Sequence, residues 1–444
     1  MMKSKALQPL DRRAAGIDIG AEQHFVAVPD DIDEPVRCFD TFTTDLHELV
    51  QWLKDCRIDT VAMESTGVYW IPIYEMLEQA GFEVLLVNAH HVKNVPGRKT
   101  DVLDCQWIQQ LHSYGLLRGA FRPDDTILPL RAYMRQRANL VRYAGMHIQH
   151  MQKALDQMNI QLHHVVSDIT GLTGSRILTA ILGGERDPRK LAALRDSHCR
   201  HSEEEIAKAL TGNWRPEHLF ELKQGWELYQ FYQQQILACD REIEQAISAL
   251  PTQTDEPAPP PDKPKRSGAN KNALSFEVRD LLYGIAGVDL TGIDGLQEHT
   301  VLKILAETGT DMSRWPTEKH FAAWLGLCPG NKVSGGKRLS GKTTPSANRA
   351  AAAFRMATQG LHHSQSALGA YYRRMRARLG GPKAVTATAH KLCKLFYNML
   401  KYGSDYHDAG AEYYEQQYRD RVLRNLRRQA KNLGFELAEL PQSA

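Results

Sequence analysis

Four carboxylates in the first quarter of the chain have the residue types and neighbours of a metal-dependent phosphoryl-transfer centre. Asp18 lies in Gly16-Ile17-Asp18-Ile19-Gly20, where small flanking residues let a phosphate or a cation come close. Glu64 opens the run Glu64-Ser65-Thr66-Gly67-Val68-Tyr69-Trp70. Asp101 and Asp104 stand three apart at the start of a helical pattern, so both carboxylates project from one helix face. Four hard oxygen donors suit two Mg²⁺ ions about 4 Å apart, which activate a nucleophile and stabilise the leaving oxygen. Each part also has an ordinary reading. An Asp in a Gly-flanked strand occurs at the phosphate site of actin-like kinases, and an Asp-x-x-Asp at a helix start often only caps the helix. The actin-like reading needs a second Gly-rich phosphate loop after another strand set, and none follows. The loop 90–100 leads into the Asp pair and carries Lys93, Arg98 and Lys99, cations placed to hold a nucleic-acid backbone.

The elements that must position these groups follow from periodicity. Residues 15–19, 25–28 and 36–43 read as three consecutive strands, 46–53 as a helix, 60–64 as a buried strand, 68–79 as a helix, 83–87 as a strand and 101–117 as a helix. That order predicts an α/β domain of ribonuclease H-like type over 1–122. In such a sheet the first and fourth strands are neighbours and the final helix lies beside them, so the four carboxylates converge.

A helical coiled-coil region is expected over 123–250. Val141, Ala144, Ile148, Met151, Leu155, Met158, Leu162 and Val165 step by three and four, as do Tyr229, Tyr232, Ile236, Cys239, Ile243 and Ala246. Pairing within one chain and pairing between subunits both satisfy these seams. Six of the chain's twenty prolines fall within 251–264, which marks 251–275 as an extended linker. A mostly helical domain over 276–402 and a charged helical tail over 403–444 complete the expected organisation.

With 444 residues, of which 42% are hydrophobic, the chain has room for roughly three domains with buried cores. The formal net charge of +3 hides a strong asymmetry: residues 319–404 hold fifteen Lys and Arg and no Asp or Glu, which leaves −12 on the rest. A long stretch purged of carboxylates reads as a surface facing phosphates. The seven cysteines are scattered without a CxxC pair, which argues against a zinc site or a disulfide framework and suits a reducing, cytoplasmic setting. No apolar run of about 18 residues and no signal-peptide core appear, so neither membrane spanning nor secretion is expected.

Within the acid-free stretch, Gly336-Lys-Arg-Leu-Ser-Gly-Lys-Thr343 matches the P-loop pattern letter for letter. The context rejects it. A P-loop follows a buried strand, and the magnesium-holding Asp of a nucleotidase cannot lie in a segment without acids. The better reading of 334–344 is a flexible cationic loop whose amides grip phosphate, with Lys332, Lys337, Arg338 and Lys342 in or beside it and Arg349 just beyond. Upstream, residues 292–295 start a helix running to about Glu307, either an ordinary helix turn or a hairpin whose amides contact a DNA backbone. Downstream, Arg373, Arg374, Arg376 and Arg378, with Tyr371 and Tyr372, read as phosphate contacts beside stacking groups.

Taken together, GIDIG, MESTGVYWIP, GRKTDVLDCQWI and WLGLCPGNKVSGGKRLSGKT resemble the DEDD transposases of bridge-RNA-guided insertion sequences, a family that also includes Piv-type DNA invertases. The resemblance spans nearly the whole chain. It implies a Mg²⁺-binding tetrad of Asp18, Glu64, Asp101 and Asp104, and a serine of the second domain that attacks DNA and forms a covalent intermediate. It also implies that carboxylates of another subunit complete the serine site. Ser334 is the best match for that nucleophile. Val333 stands where some relatives carry a second hydroxyl residue, so Ser340 remains the runner-up. The implied partners are donor and target DNA, a structured guide RNA and further copies of the chain, as a dimer pairing into a tetramer. Two other functions remain open: a resolvase, nuclease or Piv-like invertase using the same carboxylates, and an inactive nucleic-acid-binding scaffold.

Overall fold

The computed structural model describes residues 10–11, 13–65, 67–88, 101–259, 271–343 and 346–438, which divide into two compact units at Arg122/Pro123. The first is built on β1 (Ala14–Ile19), β2 (Gln23–Ala27), β3 (Val36–Asp40), α1 (Thr43–Asp55), β4 (Thr60–Glu64), α2 (Trp70–Gln79), β5 (Glu83–Val87) and α3 (Asp101–Ser113). The strands lie in the order β3-β2-β1-β4-β5, antiparallel among β1, β2 and β3 and parallel among β1, β4 and β5. All five residues of β4 are buried, as a central parallel strand covered on both faces requires. Ile17, Ile19, Val26 and Met63 from the sheet meet Leu49 and Leu53 of α1 and Ile73 and Leu77 of α2 in one core. This mixed sheet is compatible with the ribonuclease H-like order expected from the sequence.

The second unit is dominated by helices. α4 (Leu128–Gln157) is followed by α5 (Leu162–Val165), α6 (Leu172–Leu182), α7 (Pro188–Ala192), α8 (Glu203–Ala209) and α9 (Pro216–Ser248). α4 and α9 run antiparallel against each other within the chain. The Cys239 thiol donates to the carbonyl of Tyr133 at 3.2 Å, His147 stacks on Tyr232 at 5.4 Å, and Gly225 faces Met151. The first predicted seam is therefore interrupted: α4 stops at Gln157, Asn159 takes a left-handed φ of 55°, and Leu162 and Val165 belong to a separate short helix. Met158 and Leu162 are nonetheless fully buried, so burial carried the apolar spacing past a turn that Asn tolerates well.

Beyond 270 come α10 (Arg279–Ala286), α11 (Glu298–Thr308), α12 (Glu318–Trp324), the strands β6 (Lys332–Ser334) and β7 (Lys337–Ser340), α13 (Arg349–Ala357), α14 (Ala367–Leu379), α15 (Gly381–Tyr402) and α16 (Gly410–Asn432). Phe321, Phe354, Phe396 and Tyr397 centre its core, and the Tyr397 hydroxyl donates to the carbonyl of Trp315 at 2.6 Å. Among the described residues no helix is long and apolar enough to cross a membrane.

Ion pairs join the long helices to this region. Arg131 and Arg135 of α4 both hold Glu307 of α11, at 3.0 and 2.7 Å. Arg137, 2% exposed, pairs with Asp240, 1% exposed, and also donates to the carbonyls of Asn272 (3.2 Å) and Ala273 (2.9 Å), while the Ser275 amide donates to Asp240 at 3.0 Å. One ion pair thus fastens the far end of the proline-rich segment to both long helices. Asp240→Ala strands the Arg137 charge and is expected to cost roughly 3–5 kcal/mol, read as a lower urea midpoint.

Candidate active site and nucleic-acid interface

The parallel register of β1 with β4 pairs Ile17 with Met63, so Asp18 and Glu64 follow side by side at the ends of adjacent strands, on one face of the sheet. Asp18 is half-buried, and Glu64 is only 5% exposed. Gly16 shares that face. A Cβ there would lie 2.2 Å from the backbone nitrogen of Gln109 and 2.6 Å from the carbonyl of Cys105, so α3 crosses β1 in direct backbone contact. Gly20, at the other end of the motif, is held 2.4 Å from the Gln23 carbonyl by the same measure. The small residues around Asp18 therefore also serve chain packing, a role that their reading as room for a phosphate or a cation did not include.

α3 runs antiparallel to β1. Gln109 donates from Nε2 to the carbonyl of Ala14 at 3.1 Å, Cys105 lies beside Gly16, and Asp104 comes one residue nearer the Asp18 end. The Cys105 thiol is fully buried; burial pushes its pKa up to about 12, with the charges of Asp18 and Asp104 adding to the effect. It donates to the carbonyl of Val102 at 3.1 Å and stays protonated, a packing group among carboxylates. Among the described residues no three His, Cys, Asp or Glu side chains close on a common point. The donor chemistry nevertheless fits a hard divalent cation: Asp18, Glu64 and Asp104 offer only carboxylate oxygens. The side chain of Asp101, and Lys93, Arg98 and Lys99 entirely, lie outside the described residues.

Ser334 ends the first strand of a β-hairpin. Gly335 and Gly336 form its two-residue turn with φ of 55° and 74°, the left-handed pair of a type I′ turn that glycine adopts without strain. The register sets Ser334 opposite Lys337, so the hydroxyl and the ammonium stem share one face, and both residues are exposed. Ser340 is partly buried, and its hydroxyl accepts from the Lys342 amide at 3.3 Å. The hairpin base is closed by the Gly330 amide donating to the carbonyl of Lys342 at 2.9 Å. The expected flexible loop is thus an ordered hairpin; Gly-Gly supplies turn geometry rather than slackness. The P-loop letters run through that turn and along β7, with no strand-to-helix cradle. The side chains of Lys332 and Arg338 lie outside the described residues.

The arginines of α14 divide. Arg376 and Arg378 are exposed, as are Lys342 and Arg349. Arg373 instead donates to the carbonyls of His362 (3.2 Å) and Ser364 (2.6 Å), and Arg374 pairs with Glu415 at 2.7 Å. Tyr372 is buried in the core. Arg373 and Arg374 are therefore committed within the chain and Tyr372 offers no free ring, because neighbouring positions on a helix face different sides. Likewise α11 begins at Glu298, not at 292. Gly295, at φ 94°, is pressed against the Ala357 carbonyl, Ile293 is fully buried, and Asp294 accepts from the Ser364 hydroxyl at 2.5 Å. Glu415, 41 residues from Arg374, gave no signal in the local pattern that singled out the arginines.

Residues 15–160 match a family model of DEDD transposases of the IS110 type, described as a transposase, and residues 289–373 match the model of the transposase IS116/IS110/IS902 family. No curated protein matches the chain.

Proposed function

The chain belongs to the IS110 family of DEDD transposases, and from that premise we propose that it exchanges DNA strands through a covalent serine intermediate, directed by a structured RNA of its own element. The observation that carries the reading is the placement of Asp18 and Glu64 at adjacent strand ends, with Asp104 on the helix that crosses them. Asp18, Glu64, Asp101 and Asp104 would hold Mg²⁺, which when bound supplies Lewis-acid stabilisation of charge on phosphate oxygens.

Ser334 attacks the scissile phosphorus through Oγ. A Ser–O–P bond forms, the phosphorus–oxygen bond to one DNA strand breaks, the hydroxyl proton passes to a base and the departing strand oxygen takes up a proton. A hydroxyl of the second DNA strand then attacks the phosphoserine and returns Ser334 to its free form. A serine hydroxyl is a weak nucleophile at neutral pH, and residues 319–404 contain no carboxylate to activate it. Activation comes from the carboxylate group of another copy, which favours a dimer that pairs into a tetramer. The exposed Lys337 beside Ser334, with Lys342, Arg349 and Arg376, holds the DNA backbone.

The test supplies purified protein with donor and target duplexes, Mg²⁺ and RNA transcribed from the DNA flanking the gene. Recombinant joints that vanish when either RNA or Mg²⁺ is withheld are expected. Cleaved ends without joints would instead identify a nuclease.

A further inference from the structure

α14 and α16 line a cleft that the strand-exchange chemistry does not use, and α15 adjoins it. None of the 23 residues of α16 is buried, so side-chain contacts hold this helix in place rather than core packing. The guanidinium of Arg374 lies 3.0 Å from the ring centre of Tyr418 and 5.3 Å from that of Tyr414. Lys391 of α15 lies 4.8 Å from the ring centre of Tyr371 and 5.4 Å from that of Tyr414, and the rings of Tyr371 and Tyr414 meet edge to face. Arg421 stands 5.9 Å from Tyr418, and Arg378 lines the same cleft of about 710 Å³.

The charges are not balanced. Arg374, Arg378 and Arg421 line the cleft and Lys391 adjoins it, against the single carboxylate of Glu415. Burial holds the Lys391 ammonium below its ordinary range, and the charge of Arg421 lowers it further. Among the described residues, one terminal nitrogen of Arg374 is buried with no hydrogen-bond partner. Like charges gathered around aromatic rings with so little compensation favour an anionic ligand with flat faces. Bases locked in a duplex cannot reach such rings, whereas unpaired bases stack on them.

We propose that this cleft binds single-stranded nucleic acid, with a base stacked on Tyr414 or Tyr418 and phosphates on Arg378 and Arg421. The track continues along α16 over Arg424, Arg427, Arg428 and Lys431, since residues 421–432 contain no acid. This binding needs neither the carboxylates nor Ser334, so it stands or falls separately from the strand-exchange reading.

The experiment measures fluorescence anisotropy of full-length protein with a labelled 20-nucleotide RNA, the DNA strand of the same sequence and the matching DNA duplex. It is run in EDTA across a salt series. Tyr414→Leu is expected to weaken single-strand binding about tenfold. The surface pair Arg378→Gln/Arg421→Gln is expected to weaken it comparably and to reduce the salt slope by about 1.4, at roughly 0.7 per phosphate contact, with duplex binding changed less than twofold. The pair keeps the test valid if Tyr414→Leu loosens α16. A larger loss on RNA assigns the strand to RNA, and a larger loss on DNA assigns it to DNA; either supports the cleft. Wild-type affinity and slope for both single strands in the paired variant, or equal losses on single strands and duplex, would overturn it.

Discussion

Ser334→Ala is expected to abolish the covalent protein–DNA adduct and to reduce strand exchange by at least ~10³-fold, the scale on which removal of an attacking hydroxyl is felt. The fold should not register the change. Ser334 is exposed at the end of a short hairpin strand, and loss of an exposed hydroxyl there falls within about ±0.5 kcal/mol. DNA binding should persist, because Lys337, Lys342 and Arg349 remain. Ser340→Ala serves as the matched comparison: its hydroxyl accepts from the Lys342 amide, so that variant loosens the hairpin base while leaving the adduct in place. An adduct that survives Ser334→Ala and is lost in Ser340→Ala would move the nucleophile to the other strand of the hairpin.

The second large effect is expected at Asp104. Asp104→Asn keeps the size of the side chain and its place on α3 but removes a charge from the group that would hold Mg²⁺. Metal-dependent breakage of DNA should fall by ~10³-fold or more, and the Ser334 adduct should fall with it. The variant should stay folded, since α3 is anchored elsewhere, by the backbone contact at Gly16 and by Gln109 on Ala14. Circular dichroism and gel assays of adduct and cleavage, run side by side on one preparation, separate lost chemistry from lost structure. Full adduct yield with Asp104→Asn would detach the serine chemistry from the carboxylates.

The amino-terminal elements were legible because their signals are local. Thr60-Val-Ala-Met-Glu64 is an apolar run of strand length ending in a carboxylate, and β4 covers those residues. The spacing of Asp101 and Asp104 likewise anticipates a helix, and α3 covers both residues. What stayed hidden depends on partners remote in sequence. Nothing near Gly16 says that its missing Cβ makes room for the backbone of Gln109, more than ninety residues on. The seams of α4 and α9 revealed apolar faces, but only contacts such as Tyr232 on His147 fix their antiparallel pairing. Arg373 and Arg374 looked like neighbours of one kind, yet one closes carbonyls of the preceding turn and the other pairs with Glu415 on α16. Around Ser334 the segment 334–344 reads as a flexible cationic loop, whereas Gly335 and Gly336 specify a type I′ turn.

The central claim, that DNA becomes linked to Ser334 through a step requiring the carboxylates, is tested most directly by isolating the protein–DNA adduct and identifying the linked residue by peptide mass spectrometry. The expected result is a phosphodiester on the peptide containing Ser334, formed with Mg²⁺ and missing in Asp104→Asn. Strand exchange without any linked peptide, or a nucleotide attached elsewhere in the chain, would contradict it.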